Sequence, residues 1–100
     1  MAHLICYDIE EDGLRKKIAD KLIENGLLRV QYSVFLGTMH EYQVQTLLEW
    51  LNHKVSTSQN PKNQILVLEV GKKQLQKMLV MGGKPNDKDA LLGELDTVII

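Results

Sequence analysis

The chain has little of what stabilises or anchors many small proteins. It contains a single cysteine, Cys6, so an internal disulfide and a cysteine-based zinc cluster are both excluded. The N-terminal segment reaches Asp8 after too few apolar residues for a signal peptide, and no apolar run approaches the roughly 20 residues that a membrane-spanning helix needs. We therefore expect a cytoplasmic protein with no membrane partner.

The sequence also lacks an excess of one charge. Its 12 Lys and Arg residues against 13 Asp and Glu residues give a net charge of -1, which is unlike the basic balance of many nucleic-acid binders. The lysines are unevenly distributed, because Glu69 is the one acidic residue between positions 62 and 84. The lysines of that stretch are Lys62, Lys72, Lys73, Lys77 and Lys84. A local basic surface is therefore compatible with the near-neutral total.

One hundred residues with 44% hydrophobic content fit a single domain over residues 1–100. A domain of this size buries only about 60–65% of its unfolded surface, so further burial between two copies would stabilise it. Size alone thus makes a dimer plausible.

Hydrophobic periodicity predicts the order of the elements. A short apolar run at residues 4–9 predicts a buried strand, and a helical stripe follows from Asp12, which we predict to be the N-cap. Gly26 is typical of a helix stop. Alternation over residues 27–38 predicts two strands joined by a tight turn or bulge, and a second helix begins near Glu41.

The second half of the chain predicts further strands. Residues 65–70 form the strongest strand pattern, which we expect at the centre of the sheet. A lysine-rich turn follows, then a weaker strand at residues 78–81 and a terminal strand at residues 94–100. With right-handed crossovers this order predicts an α+β fold, a ferredoxin-like βαββαβ sandwich with a C-terminal extra strand.

Three linked motifs carry a family resemblance. They are Tyr7-Asp8-Ile9 at the end of the first strand, Arg15 in the first helix, and the segment 26–35, GLLRVQYSVF. Together they resemble the small ferredoxin-fold CRISPR-associated nuclease of the adaptation complex, the second of the two core adaptation proteins. The chain departs from the family pattern at Leu36, where relatives usually have a polar residue, and at Lys16, where they often have a second arginine.

The resemblance implies a homodimer in which the two copies of Asp8 approach each other and share a divalent cation, Mg²⁺ or another. Two carboxylates held close repel each other unless a proton or cation lies between them, so a metal is a natural occupant. Asp8 is thus the expected catalytic and metal-binding residue. Without the surrounding motifs, a turn aspartate that closes the first strand would be the simpler interpretation.

The same resemblance assigns roles to six further residues. Arg15, Lys16 and Arg29 are expected to bind nucleic acid, although a solvated helix residue or a cross-strand ion pair would also explain the arginines. Supporting roles are expected for Tyr7, Ser33 and Phe35, with ordinary core packing as the alternative for the two aromatic residues.

The resulting hypothesis is a subunit for CRISPR spacer acquisition. The dimer would bind double-stranded DNA together with the integrase subunit, and would be a metal-dependent endonuclease on RNA or DNA. The terminal strand at residues 94–100 would pair across the dimer. Two other functions stay open at this point: a toxin-like ribonuclease of the same fold, and a small regulatory dimer that binds a metabolite.

Overall fold

The computed structural model describes residues 1–82, and the terminal strand expected at 94–100 lies outside this range. Within it, strands and helices follow one another in the order β1, α1, β2, β3, α2, β4, α3. Their bounds are β1 Ala2–Asp8, α1 Asp12–Glu24, β2 Leu28–Gln31, β3 Val34–Thr38, α2 Glu41–Ser58, β4 Gln64–Val70 and α3 Lys72–Gln76. The first six elements have the predicted βαββαβ order.

The four strands form one antiparallel sheet in the order β2-β3-β1-β4. This α+β arrangement is the one expected for a ferredoxin-like sandwich. The expectation that residues 65–70 are central is wrong, because β1 lies between β3 and β4 and β4 is at the sheet margin of the described residues. The run of branched residues in β4 gave this misleading signal because both of its faces are apolar.

One face of the sheet is covered by α1 and α2. From β1 and β3, Ile5, Tyr7 and Phe35 point to this side and join one buried cluster with Leu22 and Leu47 of the helices. Full burial of a large apolar side chain contributes roughly 1.5–3 kcal/mol. The larger core therefore lies between the sheet and these two helices, as the period of the helical stripes requires.

The opposite face is only partly covered. Leu75 of α3 packs against Ala2 and Leu36 there, in a second and smaller cluster. Leu66 and Leu68 of β4 point to the same side and are 60% and 61% exposed. We call this side of the sheet, with Leu66 and Leu68, the open face.

The segment after β4 differs from the prediction. The lysine-rich turn is the short helix α3, which begins after Gly71, and residues 78–81 form no strand within residues 1–82. The helix is favoured because it lets Leu75 bury its side chain on the sheet. Leu79 and Met81 are mostly exposed, so their apolar character does not report a buried strand.

Helix α1 ends at the turn around Gly26, as predicted. Gly26 has a φ of +86°. The Gly26 N–H donates to the Ile23 carbonyl at 2.9 Å, and the Leu27 N–H donates to the Leu22 carbonyl at 3.1 Å. This is the hydrogen-bond pattern of a Schellman stop. At the other end the expected N-cap is shifted by one residue, since Glu11 is the N-cap and Asp12 is the first helical residue.

None of the helices within residues 1–82 is both long enough and apolar enough to cross a membrane.

Candidate nucleic-acid and metal site

Asp8 is the last residue of β1 and is exposed. It pairs with Gln64 of β4, whereas the β3 partner strand already ends opposite Cys6. Because successive side chains of a strand alternate, Asp8 points to the open face, as do Leu4 and Cys6. Its side chain is exposed, and among residues 1–82 its carboxylate has no hydrogen-bond or ion-pair partner.

Asp8 does not belong to a larger cluster of metal ligands within residues 1–82. No group of three or more His, Cys, Asp or Glu side chains within residues 1–82 could hold an ion. The exposed Asp8 carboxylate is nevertheless the kind of oxygen donor that Mg²⁺ takes, and Mg²⁺ retains several waters and often uses only one or two carboxylates. The donor set fits Mg²⁺ if a second copy supplies a second Asp8.

The predicted nucleic-acid residues meet on the other side of the sheet. Tyr7, Arg15, Lys16 and Arg29 line one cavity of about 500 Å³ between α1 and the β2–β3 hairpin. The remaining lining residues are Asp12, Ala19, Asp20, Ile23 and Tyr32. We call this the basic cavity. The structure thus brings these four residues together, and it places Asp8 on the opposite face.

Arg15 is largely occupied by contacts within the chain. Its Nη1 donates to the Ile9 carbonyl at 3.0 Å, and its Nη2 is paired with the carboxylate of Asp12. Both partners belong to the segment that follows Asp8. Arg15 therefore fixes the β1–α1 connection, and its guanidinium has less capacity for phosphate than a free arginine would have.

Lys16 is the more exposed of the two neighbouring cations. Its Nζ lies 2.8 Å from Asp20 Oδ2, one helical turn further along α1. Exposed pairs of this kind contribute about 0.3–0.5 kcal/mol, so a phosphate could displace Asp20 at little cost.

The three predicted supporting residues have structural roles in this fold. Tyr7 is buried and stacks with Phe35, with ring centroids 6.1 Å apart, and Phe35 is fully buried. Ser33 accepts a hydrogen bond from the Tyr7 N–H through its main-chain oxygen at 3.1 Å. The Arg29 guanidinium lies 5.0 Å from the Phe35 ring centroid. Buried aromatic packing therefore supports the floor of the basic cavity.

Next to Asp8, a carboxylate-amide network ties two loops together. Asn60 Nδ2 donates to Glu10 at 2.7 Å and to Glu11 at 2.8 Å, and Asn63 Nδ2 donates to Glu11 at 2.6 Å. The Glu10 N–H donates to the Asn63 side chain at 3.0 Å. Hydrogen bonds from Asn60, and then from Asn63, lower the pKa of Glu11 below its ordinary value of 4.5.

Sequence reasoning missed two features of this region. The first is the burial of Asn63. The sequence of the polar loop before it contains no pattern that predicts a buried asparagine. Tyr32 was placed in the alternating strand pattern of residues 27–38, but it lies in the turn between β2 and β3, lines the basic cavity and is 73% exposed. Its neighbours Gln31 and Ser33 are ordinary hairpin residues.

Comparison with known proteins agrees with the motifs. The family model described as CRISPR associated protein Cas2 matches residues 1–78. The chain belongs to the Cas2 family. The expected resemblance is thus confirmed over most of the chain.

Two of the similar proteins and two solved structures illustrate this. The chain is 40% identical to CRISPR-associated endoribonuclease Cas2 1 of Methanospirillum hungatei over 68 residues, which are 67% of each chain. It is 32% identical to CRISPR-associated endoribonuclease Cas2 2 of Pyrobaculum aerophilum over 82 residues, which are 82% of this chain and 87% of the other.

Among solved structures, Cas2 of Streptococcus pyogenes at pH 6.5 has a TM-score of 0.68 at 20% identity and shows the shared fold alone. It covers 82% of this chain and 100% of that one. A hypothetical protein, TT1823 of Thermus thermophilus, has a TM-score of 0.65 at 26% identity and covers 84% of this chain and 93% of that one.

Proposed function

We propose that this Cas2-family chain is a homodimeric subunit for CRISPR spacer acquisition. It binds duplex DNA together with the integrase subunit, and it is a Mg²⁺-dependent endonuclease on RNA or DNA through Asp8. The observation that carries the proposal is the position of Asp8, exposed at the end of β1 on the open face. Relatives of the family whose names include endoribonuclease support the nuclease half.

The open face supports the dimer. Leu66 and Leu68 are apolar and mostly exposed there, in a domain with a small core. Packing this face against the same face of a second copy would bury them. In an isologous contact, residue i of one copy meets residue j of the other and j meets i, so only residues at the two-fold axis meet their own copy. The proposed dimer has the end of β1 near that axis, where the two Asp8 carboxylates approach each other.

The chemistry at paired Asp8 residues follows from their charge. Two close carboxylates favour a cation between them. Bound Mg²⁺ would polarise a phosphodiester and lower the pKa of an attacking water. In this chain, Asp8 would hold the ion. Arg15 fixes the following segment through Ile9 and Asp12, and the network of Glu11 with Asn63 anchors that segment to the α2–β4 loop.

Duplex binding is assigned to local groups of exposed cations rather than to the total charge. Arg29 and Lys16 line the basic cavity, whereas Lys72 and Lys73 lie on α3, which packs on the open face. Cations bind phosphate by releasing counterions, so affinity should fall steeply with salt. Affinity that is unchanged between low and moderate salt would contradict the scaffold role.

The test compares wild type with Asp8→Asn, which removes the charge and keeps the size of the side chain. Glu49→Gln on α2 is a matched control, because Glu49 is also an exposed carboxylate. We expect Mg²⁺-dependent cleavage of RNA or DNA to disappear in Asp8→Asn alone, while sedimentation and duplex binding stay unchanged. Full cleavage by Asp8→Asn would remove Asp8 from the mechanism.

The partner is tested separately, since a toxin-like ribonuclease would need no integrase. Co-purification of the two subunits, followed by duplex binding with and without the integrase, distinguishes the alternatives. We expect a complex whose duplex affinity exceeds that of either subunit. Absence of a complex would contradict the adaptation role and favour an independent ribonuclease.

A further inference from the structure

Tyr32 is an exposed aromatic residue that lines the basic cavity. It is the first residue of the two-residue connection between β2 and β3, and 73% of its surface is exposed. The hairpin needs no aromatic residue there, because short turns are commonly built from small polar residues. The ring packs into neither of the two buried clusters.

Arg29 holds one side of this ring. Its guanidinium carbon lies 5.8 Å from the Tyr32 ring centroid and 5.0 Å from that of the buried Phe35. The cation thus links an exposed ring to the core of the sheet, within the usual range of a cation–π contact. Tyr32 is therefore supported from the side of Arg29, and most of its remaining surface faces solvent.

Lys16 and Arg15 line the same cavity across from the hairpin. Arg15 is held by Ile9 and Asp12, so Arg29, together with Lys16 once a phosphate displaces Asp20, is the positive charge available to a strand of nucleic acid. Tyr32 offers a flat surface suited to a base. Phosphate-binding cations combined with an exposed aromatic ring are the features of a single-strand binding surface.

We propose that Tyr32, supported by Arg29, is the stacking platform for an unpaired nucleobase, so that the basic cavity binds single-stranded nucleic acid. The inference rests on the nucleic-acid binding proposed above. It adds that the nucleic acid bound in this cavity is single-stranded. In the interior of a duplex the faces of the bases are covered by their neighbours, so Tyr32 stacks on a base that is unpaired. Duplex binding then depends on cations and not on this ring.

The experiment measures affinities by fluorescence anisotropy at fixed salt for three labelled probes. They are a 12-nucleotide RNA without internal pairing, an abasic strand of the same length, and a blunt DNA duplex. The proteins are wild type, Tyr32→Ala and Tyr32→Trp. Tyr42→Ala is the matched control, since Tyr42 on α2 is similarly exposed but lies outside the basic cavity.

We expect Tyr32→Ala to weaken binding of the single strand by roughly 5- to 150-fold, the range for losing one stacked base. Affinity for the abasic strand and the duplex should change less than about twofold, because their phosphates are still bound. Tyr32→Trp should keep the single-strand affinity, because its ring also stacks. Tyr42→Ala should match wild type with every probe.

Three results would overturn the inference. One is equal single-strand affinity for wild type and Tyr32→Ala, and another is an equal loss on the abasic strand, which would indicate a structural role. The third is wild type that binds duplex but no single strand. That last result would leave the duplex-binding function standing, whereas wild type that binds none of the probes would refute the proposed function itself.

Discussion

Two consecutive residues of β1 serve opposite surfaces. Tyr7 is buried toward α1 and α2, and Asp8 is exposed on the open face, since strand side chains alternate. The Tyr7-Asp8 motif therefore joins the floor of the basic cavity to the proposed metal site without the two sharing a pocket. A substrate that reaches both would have to pass around the end of β1.

Glu11 gives a residue-scale prediction about pH. Its pKa is lowered in the folded chain from an ordinary value of 4.5, mainly by Asn60 and then Asn63. A carboxylate of depressed pKa adds stability above its unfolded pKa, and that stability is lost as pH falls through the folded value. Wild type should therefore be more stable than Glu11→Gln at pH 7, with the difference shrinking below about pH 4.5.

Urea unfolding of both proteins at pH 7 and at pH 3 measures this difference. Glu49→Gln is the control, and its offset from wild type should be small at both values. An offset between wild type and Glu11→Gln that is as large at pH 3 as at pH 7 would show that the charge of Glu11 does not stabilise the network.

At the scale of elements, the glycine in the first turn of α1 and the glycine that follows α1 have opposite requirements. Gly26 has a φ of +86°, where a side chain is strained, whereas a Cβ at Gly13 would meet nothing within 4 Å in an ordinary helical position. Gly26→Ala should lower the free energy of unfolding by roughly 1 kcal/mol. Gly13→Ala should raise it by about 0.4–1 kcal/mol, because alanine restricts the unfolded chain.

Thermal or urea unfolding of these two variants provides the measurement. The opposite signs are the informative result, because both substitutions add the same methyl group. Destabilisation by Gly13→Ala equal to that by Gly26→Ala would show that the Schellman stop is not what distinguishes these positions.

Local sequence patterns predicted the helices and strands well where a pattern is compatible with only one local structure. Gly26 marks the end of α1, and alternation over residues 27–38 marks the β2–β3 hairpin. The central position assigned to β4 was wrong, since apolar side chains report what covers the two faces of a strand, whereas its place in the sheet depends on which main-chain edges are paired. The strand expected at residues 78–81 was wrong for a related reason, because its apolar residues are exposed.

The candidate site could be predicted only in part. The motifs indicated Asp8, Arg15 and Arg29. They did not indicate that Asp8 lies on the side of the sheet opposite the two arginines, which follows from strand alternation combined with the coverage of one face by α1 and α2. Asn63 reaches Glu11 across 52 positions, and no local pattern reports a contact between such distant residues.

At the scale of the whole molecule, the open face decides the assembly. Replacing Leu66 and Leu68 together by lysine should shift the protein from dimer to monomer in sedimentation velocity. Each buried leucine contributes up to roughly 1.5–3 kcal/mol, and two opposed lysines add repulsion across the contact. The monomer should keep its secondary structure, because both residues are already mostly exposed in the single chain.

Tyr42→Lys is the control, because Tyr42 is an exposed aromatic residue on α2, away from the open face. It should leave the sedimentation coefficient unchanged. A Leu66 and Leu68 double variant that sediments like wild type would move the dimer contact to another surface.

The most direct measurement of the central claim is the metal stoichiometry of the dimer. Mn²⁺ binds the same oxygen ligands as Mg²⁺ and is detected by electron paramagnetic resonance. If two copies of Asp8 share one ion, wild type binds about one Mn²⁺ for every two chains, Glu49→Gln does the same, and Asp8→Asn binds none at this site. One Mn²⁺ for each chain, or binding that Asp8→Asn leaves unchanged, would contradict the shared site.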